Sequence, residues 1–219
     1  TLCKFVLLPV LQAFVQEHPH IQITIENQSS IHTFDSLSSS TVDIGLVGAP
    51  ESCSMEFLPV MEIADTLVTT DSYLAALHDR QKQDPDSRAT LMLLGRDNLT
   101  RQYVDRYLSG NRLFNEQTLE VSSMDLLIEF AKINLGVACV IENFVTRELA
   151  EGTLVHFPSA PQIPKRKIGF AWPTQTNPNP SFHTFLTFIK EHPEYFRPNL
   201  NIGAFYGVFP NSLWNGGRI

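Results

Sequence analysis

The chain has little of what marks several common protein classes. Cysteine is scarce: Cys3, Cys53 and Cys139 are three in 219 residues, and none stands in a C-x-x-C pair. That count argues against a disulfide framework and suits a reducing compartment, with a bond between any one pair left open to geometry. No apolar run approaches the roughly 18 residues of a membrane-spanning helix, and no basic, apolar, small-residue leader opens the sequence. A cytoplasmic chain with no membrane contact is the expectation. Basic residues are outnumbered, 16 Lys and Arg against 23 Asp and Glu, for a net charge of −7. Phosphate contacts need clustered cations, and the run Lys165-Arg166-Lys167 is too short to supply a nucleic-acid surface. The patterns G-x-S-x-G, H-E-x-x-H, G-x-G-x-x-G and the P-loop are all missing, so no enzyme is indicated. The seven histidines are scattered, with only His18 and His20 close together, flanking a proline. Neither a metal site nor a cofactor is expected.

What is present is a substantial core composition, 43% apolar, and one stretch that organises the rest. Val121 to Ile141 reads as strand end, serine turn, helix, turn and strand. Ser122 and Ser123 are good helix caps, and Asp125 suits the positive end of the helix dipole. Leu126, Leu127, Phe130, Ala131 and Ile133 recur at helical spacing. Asn134 and Gly136 can take the open backbone that ends a helix. Val137 to Ile141 is an unbroken apolar run, the mark of a strand buried on both faces. A helix N-terminus carrying serine hydroxyls and free N–H groups can hold a small anion. Taken alone, the serines are better explained as caps. The functional reading gains weight because the chain repeats the arrangement.

Along the chain, Leu7, Leu11, Phe14 and Val15 predict a helix that begins or bends at Pro9. Ile21, Ile23 and Ile25 alternate with polar residues and predict a half-buried strand. Ser29 and Ser30 precede a possible helix, and Val42 to Val47 reads as a strand followed by Gly48. Leu58 to Thr69 reads as one long extended segment, Asp71 to Leu77 as a short helix, and His78 to Ala89 as a polar loop. Leu91 to Leu94 is a buried strand. Asn98 caps a helix over Leu99, Tyr103 and Tyr107, which Gly110 stops. Glu142 to Glu151 reads as a helix closed by Gly152, Lys167 to Trp172 as a strand, and Phe182 to Ile189 as a last helix. The alternation of strands and helices predicts an α/β protein of two Rossmann-like lobes with mostly parallel sheets. Residues 1–71 and 167–193 form lobe I, 72–166 form lobe II, and 194–219 are an unassigned tail. The hinges are expected near Val68 and Gly169. The sequence begins at Thr1 without a methionine and reads as a piece of a longer protein.

These residues resemble a family. Leu7, Leu8, Pro9, Leu11, Phe14 and Pro19, then the QSS turn and Asp43 before an aliphatic strand, resemble the start of the effector-binding domain of LysR-type transcriptional regulators. In the second half, NLTR from Asn98 and SSMDLLIEFAKINLGVACVI from Ser122 are similar to that family's second lobe. Asn134 stands where the family has a glycine, a departure the turn tolerates because Asn accepts a left-handed backbone. The resemblance spans roughly residues 1 to 190, by order and spacing more than by any one motif. The helix-turn-helix and the strand that precede this region in the family have no counterpart in the sequence.

The resemblance implies a type II periplasmic-binding-protein-like fold with an interlobe cleft. It implies a ligand-sensing domain that binds a small, anionic effector and mediates oligomerisation. The implied partners are a second copy of the chain, a higher oligomer in the full regulator, and DNA only through the missing N-terminal domain. Ligands in open α/β sheets sit beyond the carboxyl ends of strands. Thr1, Ser29, Ser30, Gly48, Arg96, Ser122, Ser123 and Ile141 lie at or near such ends and are the expected effector contacts. Arg96 is the expected counter-ion, whereas Arg101 reads as a solvated helix residue. The rival reading is a solute-binding receptor of a transport system with the same fold.

Overall fold

The computed structural model describes residues 2–49, 55–110, 112–115, 118–158, 160–174 and 179–196. Thr1, Cys53 and the tail from 197 onward lie outside them. The helices are α1 (Leu8–Glu17), α2 (Ser30–Ser38), α3 (Asp71–Gln83), α4 (Leu99–Leu108), α5 (Met124–Lys132), α6 (Thr146–Glu151) and α7 (Pro180–Glu191). A π-helical turn, Cys3–Leu7, leads into α1. The strands are β1 (Gly45–Gly48), β2 (Met55–Ile63), β3 (Asp65–Thr69), β4 (Leu91–Leu94), β5 (Leu119–Val121), β6 (Val137–Ile141), β7 (Val155–His156) and β8 (Arg166–Pro173). They form two sheets, one ordered β1-β8-β2 and one ordered β5-β4-β6-β3-β7. The fold is mixed α/β, and β1 and β4 belong to different sheets.

The central unit forms as its residues dictate. Ser123 is extended, and its Oγ accepts the Leu126 N–H at 3.3 Å, capping α5. Met124, Leu127, Ile128 and Ala131 are buried on one face of the helix. Asn134 ends it with a left-handed backbone, φ 66°, which asparagine tolerates better than most residues. Gly136 then permits close contact with the neighbouring strand: a Cβ there would lie 2.5 Å from the Thr90 carbonyl oxygen. All five residues of β6 are buried. Burial also pushes the Cys139 thiol well above its ordinary pKa, so it stays a neutral packing group.

Parallel pairing is confined to β4 with β5 and β4 with β6, while β3 runs antiparallel to β6 and β7, and β8 antiparallel to β1 and β2. The expectation of mostly parallel sheets therefore holds only around β4. Parallel neighbours need a crossover segment, and α4 and α5 supply it there. β2 and β3 arise where the chain passes between sheets, with no helix to return it to the same direction. That passage occurs at Ala64, the residue between β2 and β3, and the chain returns at the start of β8. Val68 and Gly169, the expected hinges, lie inside strands: Val68 pairs with Ala138 and His156, and Gly169 with Val47 and Pro59.

One apolar core joins the two sheets through α1, α5 and α7, with Phe14 edge-on to Phe185 and Phe188 at 5.0 and 5.2 Å. Smaller clusters cover the outer face of each sheet. Phe196, from the expected tail, closes on Phe170 with ring centroids 6.0 Å apart. Other expectations shift. Residues 78–83 continue α3 instead of forming a loop, because Thr70 caps the helix and Tyr73 and Leu77 bury one stripe while the polar residues stay solvated. The segment 142–151 is a 3-10 turn, Glu142–Phe144, followed by α6. Residues 21–26 are not a strand: from 22 to 27 the backbone bonds no described residue, and Ile23 and Ile25 are exposed. A strand needs a hydrogen-bonded neighbour, and this segment lines the cavity with no backbone partner among the described residues. Among the described residues no helix is long and apolar enough to cross a membrane.

The tight approach at Gly136 yields a stability prediction. Gly136→Val should destabilise the domain by about 1–3 kcal/mol through overpacking. Urea unfolding midpoints of the variant and the parent chain measure this, and an unchanged midpoint would show that β4 and β6 can separate freely.

Candidate functional site: a cleft between the two sheets

A cavity of about 790 Å³ lies between the sheets. Its five-stranded side is formed by strand ends and the turns just beyond them: Leu94 and Gly95 at and after the end of β4, Ser122 and Ser123 after β5, and Ile141 at the end of β6. Its three-stranded side carries Gly48 on β1 and Arg166 on β8. An apolar end is lined by Leu7, Leu11, Phe14 and Phe170.

Four helix N-termini open onto this space, those of α2, α4, α5 and α7, the last capped by Asn179, which accepts the Phe182 N–H at 2.8 Å. Ser29 caps α2, with its Oγ accepting the His32 N–H at 3.4 Å. Asn98 caps α4, accepting the Thr100 N–H at 2.8 Å. Ser123 caps α5. The hydroxyls of Ser30 and Ser122 make no hydrogen bond with a described residue and stand available to a ligand. Each exposed N-terminus also presents N–H groups that the helix itself does not satisfy.

Of the expected contacts, Ser29, Ser30, Gly48, Ser122, Ser123 and Ile141 all line the cavity. Thr1 lies outside the described residues. Arg96 does not line it: its side chain is 81% exposed and pairs with Glu120 at 3.1 Å. A position one residue past a strand end gives proximity without direction, and Arg96 turns outward to the carboxylate at the sheet edge. Arg101, expected in solvent, is buried. Its Nε bonds both oxygens of Asp105 at 2.7 and 2.8 Å, and its Nη1 donates to the Leu94 carbonyl at 2.9 Å.

Among the described residues the Lys or Arg side chain that lines the cleft is Arg166. Its Nε and Nη2 donate to the two oxygens of Asp65 at 2.6 and 2.9 Å, and Nη2 also reaches Thr100 Oγ1 at 3.0 Å. The guanidinium lies 5.3 Å from the centre of the Tyr103 ring, and the Tyr103 hydroxyl donates to the Pro164 carbonyl at 2.8 Å. Asp65 is fully buried at the first position of β3, and Arg166 stands at the first position of β8. The pair therefore links the two points at which the chain passes between sheets. In the sequence Arg166 is one of three consecutive basic residues and nothing distinguishes it. The available signal is Asp65, a carboxylate at the head of an apolar strand, which demands a buried cation.

The LysR substrate binding domain family matches residues 1–194 of the chain. A curated relative, the uncharacterised HTH-type transcriptional regulator YfiE of Escherichia coli, is 23% identical over 194 residues, which are 87% of this chain and 65% of that protein. The chain thus spans about two thirds of that relative's length. Among solved structures, the regulatory domain of a HypT variant from Salmonella typhimurium superposes with a TM-score of 0.71 at 14% identity, covering 88% of this chain and 94% of that one. The regulatory domain of Synechocystis CcmR in complex with 2-PG gives 0.70 at 14% identity over 89% and 94%. A sulfate-bound regulatory domain of an OxyR2 variant from Vibrio vulnificus gives 0.66 at 17% identity over 87% and 91%. With the two-sheet architecture and its cleft, these matches establish that the chain belongs to the LysR substrate binding domain family, the ligand-sensing domain of LysR-type transcriptional regulators.

Proposed function

We propose that this domain senses a small anionic effector in the cleft, as the regulatory part of a cytoplasmic transcription factor that contacts DNA through another domain. The observation that carries the reading is the convergence of α2, α4 and α5 N-termini on one cavity from both sheets. Each such terminus favours a negative charge by about 0.3–1 kcal/mol, and charge-assisted bonds strengthen this further. The two solved relatives with sulfate and 2-PG bound fit an anionic ligand. Family membership sets aside the solute-receptor reading of the same fold. The cleft holds and releases its ligand without covalent chemistry. Groups from residues 2–63 with 166–196 face groups from residues 65–158, and we take these as the two lobes. A ligand bonded to both favours their closed arrangement by its differential affinity.

Pairing with a second copy belongs to the same reading. The inner face of α1 is not free for pairing, since Val10 and Phe14 are buried in the core. Among the described residues the exposed large apolar side chains are Leu8 and Val15 on α1, Ile23 and Ile25 in the segment before α2, and Leu119, Leu126, Ile133 and Leu135 on and after β5 and α5. One patch belongs to each lobe, so a two-fold axis can set the α1 patch of one copy against the α5 patch of the other, and the reverse. Closed two-fold pairing is the commonest oligomer symmetry.

Two outcomes are expected. In a thermal-shift screen of small carboxylates and inorganic anions, a ligand at about 100 times its Kd adds about 2.7 kcal/mol of stability. Ser30→Ala with Ser122→Ala removes no bond between described residues, so the variant should melt like the parent without ligand and lose most of that gain. Equal ligand stabilisation in the double variant would sink the cleft assignment. In sedimentation at roughly tens of micromolar, where dimer mass action is visible, the domain should run as a dimer and Ile133→Glu as a monomer. A monomeric parent chain would exclude the pairing.

A further inference from the structure

Arg166 is held more completely than ligand-free function requires of a surface cation. Its Nε and Nη2 are committed to Asp65 and Thr100, and its flat face lies over Tyr103. Such a guanidinium cannot rotate without breaking several contacts. Its two Nη1 N–H bonds reach no described residue, yet Nη1 is no buried orphan: among the described residues no buried side-chain nitrogen or oxygen lacks a partner. Arg166 lines the cleft, and Nη1 is therefore open to it.

Across from Nη1 stands Gly48. A Cβ built on Gly48 would lie 3.6 Å from Nη1, an ordinary contact, and would meet nothing else within 4 Å. Gly48 does not have positive φ. Neither backbone conformation nor crowding calls for glycine at this position. Among the described residues, the atom that a side chain there would cover is Nη1.

We propose that Arg166 Nη1 receives the effector's oxyanion, through the opening that Gly48 leaves. This rests on the reading of the cleft as the effector site and adds which atom takes the charge. Asp65 offsets most of the arginine's net charge, so recognition is directional. The ligand oxygen meets two fixed N–H donors, with the Thr100 hydroxyl and the α4 N-terminus beside them. Arg166 and Gly48 come from the three-stranded sheet and Thr100 from the helix after β4, so the oxyanion touches both sides of the cleft. The other permanently charged side chains lining the cavity are acidic: Glu26, Asp43 and Asp97. They disfavour a second negative group, and the matching ligand has one anionic end and an uncharged or cationic remainder. A carboxylate and a tetrahedral oxyanion share the required chemistry.

Gly48→Val tests this while leaving Asp65 and Arg166 themselves in place. Sodium sulfate, sodium acetate and glycine are titrated into the parent chain and the variant by thermal shift, with sodium chloride at matched ionic strength as control. At least one of the three should stabilise the parent beyond chloride, and sulfate against the two carboxylates tells a tetrahedral from a planar oxyanion. Gly48→Val should bind that probe about tenfold or more weakly, the scale of one charge-assisted bond. In parallel, the Arg166 side-chain ¹⁵N resonances of the parent chain should move with the probe, a readout that stands even if the variant folds poorly. Equal affinity in Gly48→Val with an unmoved Arg166 resonance overturns the proposal. If the Ser30 and Ser122 double variant still loses binding in that case, the cleft reading survives without Arg166. If it also binds normally, both fall. A parent chain stabilised by none of the probes beyond chloride overturns the proposal as well.

Discussion

The interaction on which the architecture turns is the ion pair between Asp65 and Arg166. Each residue opens a strand, and each strand begins where the chain enters a different sheet. A fully buried carboxylate at the head of β3 would be costly alone, and losing one partner of such a pair costs about 3–5 kcal/mol. Two bonds to Arg166, the Thr100 hydroxyl and the Tyr103 ring together restore what water supplied in the unfolded chain. A hydrophobic pair could serve stability as well. An ion pair also fixes direction, and here it aims a guanidinium into the cleft.

The cleft is built from ordinary helix-capping chemistry. Ser29, Asn98 and Ser123 each satisfy a local backbone donor, and each thereby places a helix N-terminus at the same cavity. Capping and ligand binding are compatible because the capping oxygen accepts one bond while the serine hydroxyl proton, or the Asn98 side-chain NH2, is still able to donate. The neighbouring Ser30 and Ser122 add hydroxyls with no structural duty among the described residues. Phe14 and Phe170 add apolar lining to the same cavity.

How much of this was legible in the sequence depended on how local the determining physics was. The unit from Val121 to Ile141 was readable because its cap, its helical stripe, its left-handed Asn134 and its buried strand are each specified within a few residues. The serines were readable as cleft residues for the same reason: helix starts and strand ends are local signals. α3 was cut short because its last turns carry no apolar stripe, and only its capped, buried start holds it in place. The passage at Ala64 was invisible because extended chain continues on both sides of it. Ile21 to Ile25 has the alternation of a strand, yet alternation cannot supply the neighbour that a strand must bond. Arg166 and Arg96 illustrate the limit most sharply. Side-chain direction and pairing at a distance of 101 residues decide which cation faces the cleft, and neither is written in the arginine's immediate surroundings.

Between Ile63 and Asp65 there is no slack: both neighbours of Ala64 are in strands, and the Ala64 carbonyl accepts the Glu142 N–H at 2.9 Å. A tether this short transmits torque. The chain crosses between the sheets here and once more before β8, so a rotation of one sheet against the other would be taken up by the backbone torsions at Ala64 and in the segment leading to Arg166. The shorter of the two crossings is a single alanine, which leaves the strands on either side no room to shift in register independently.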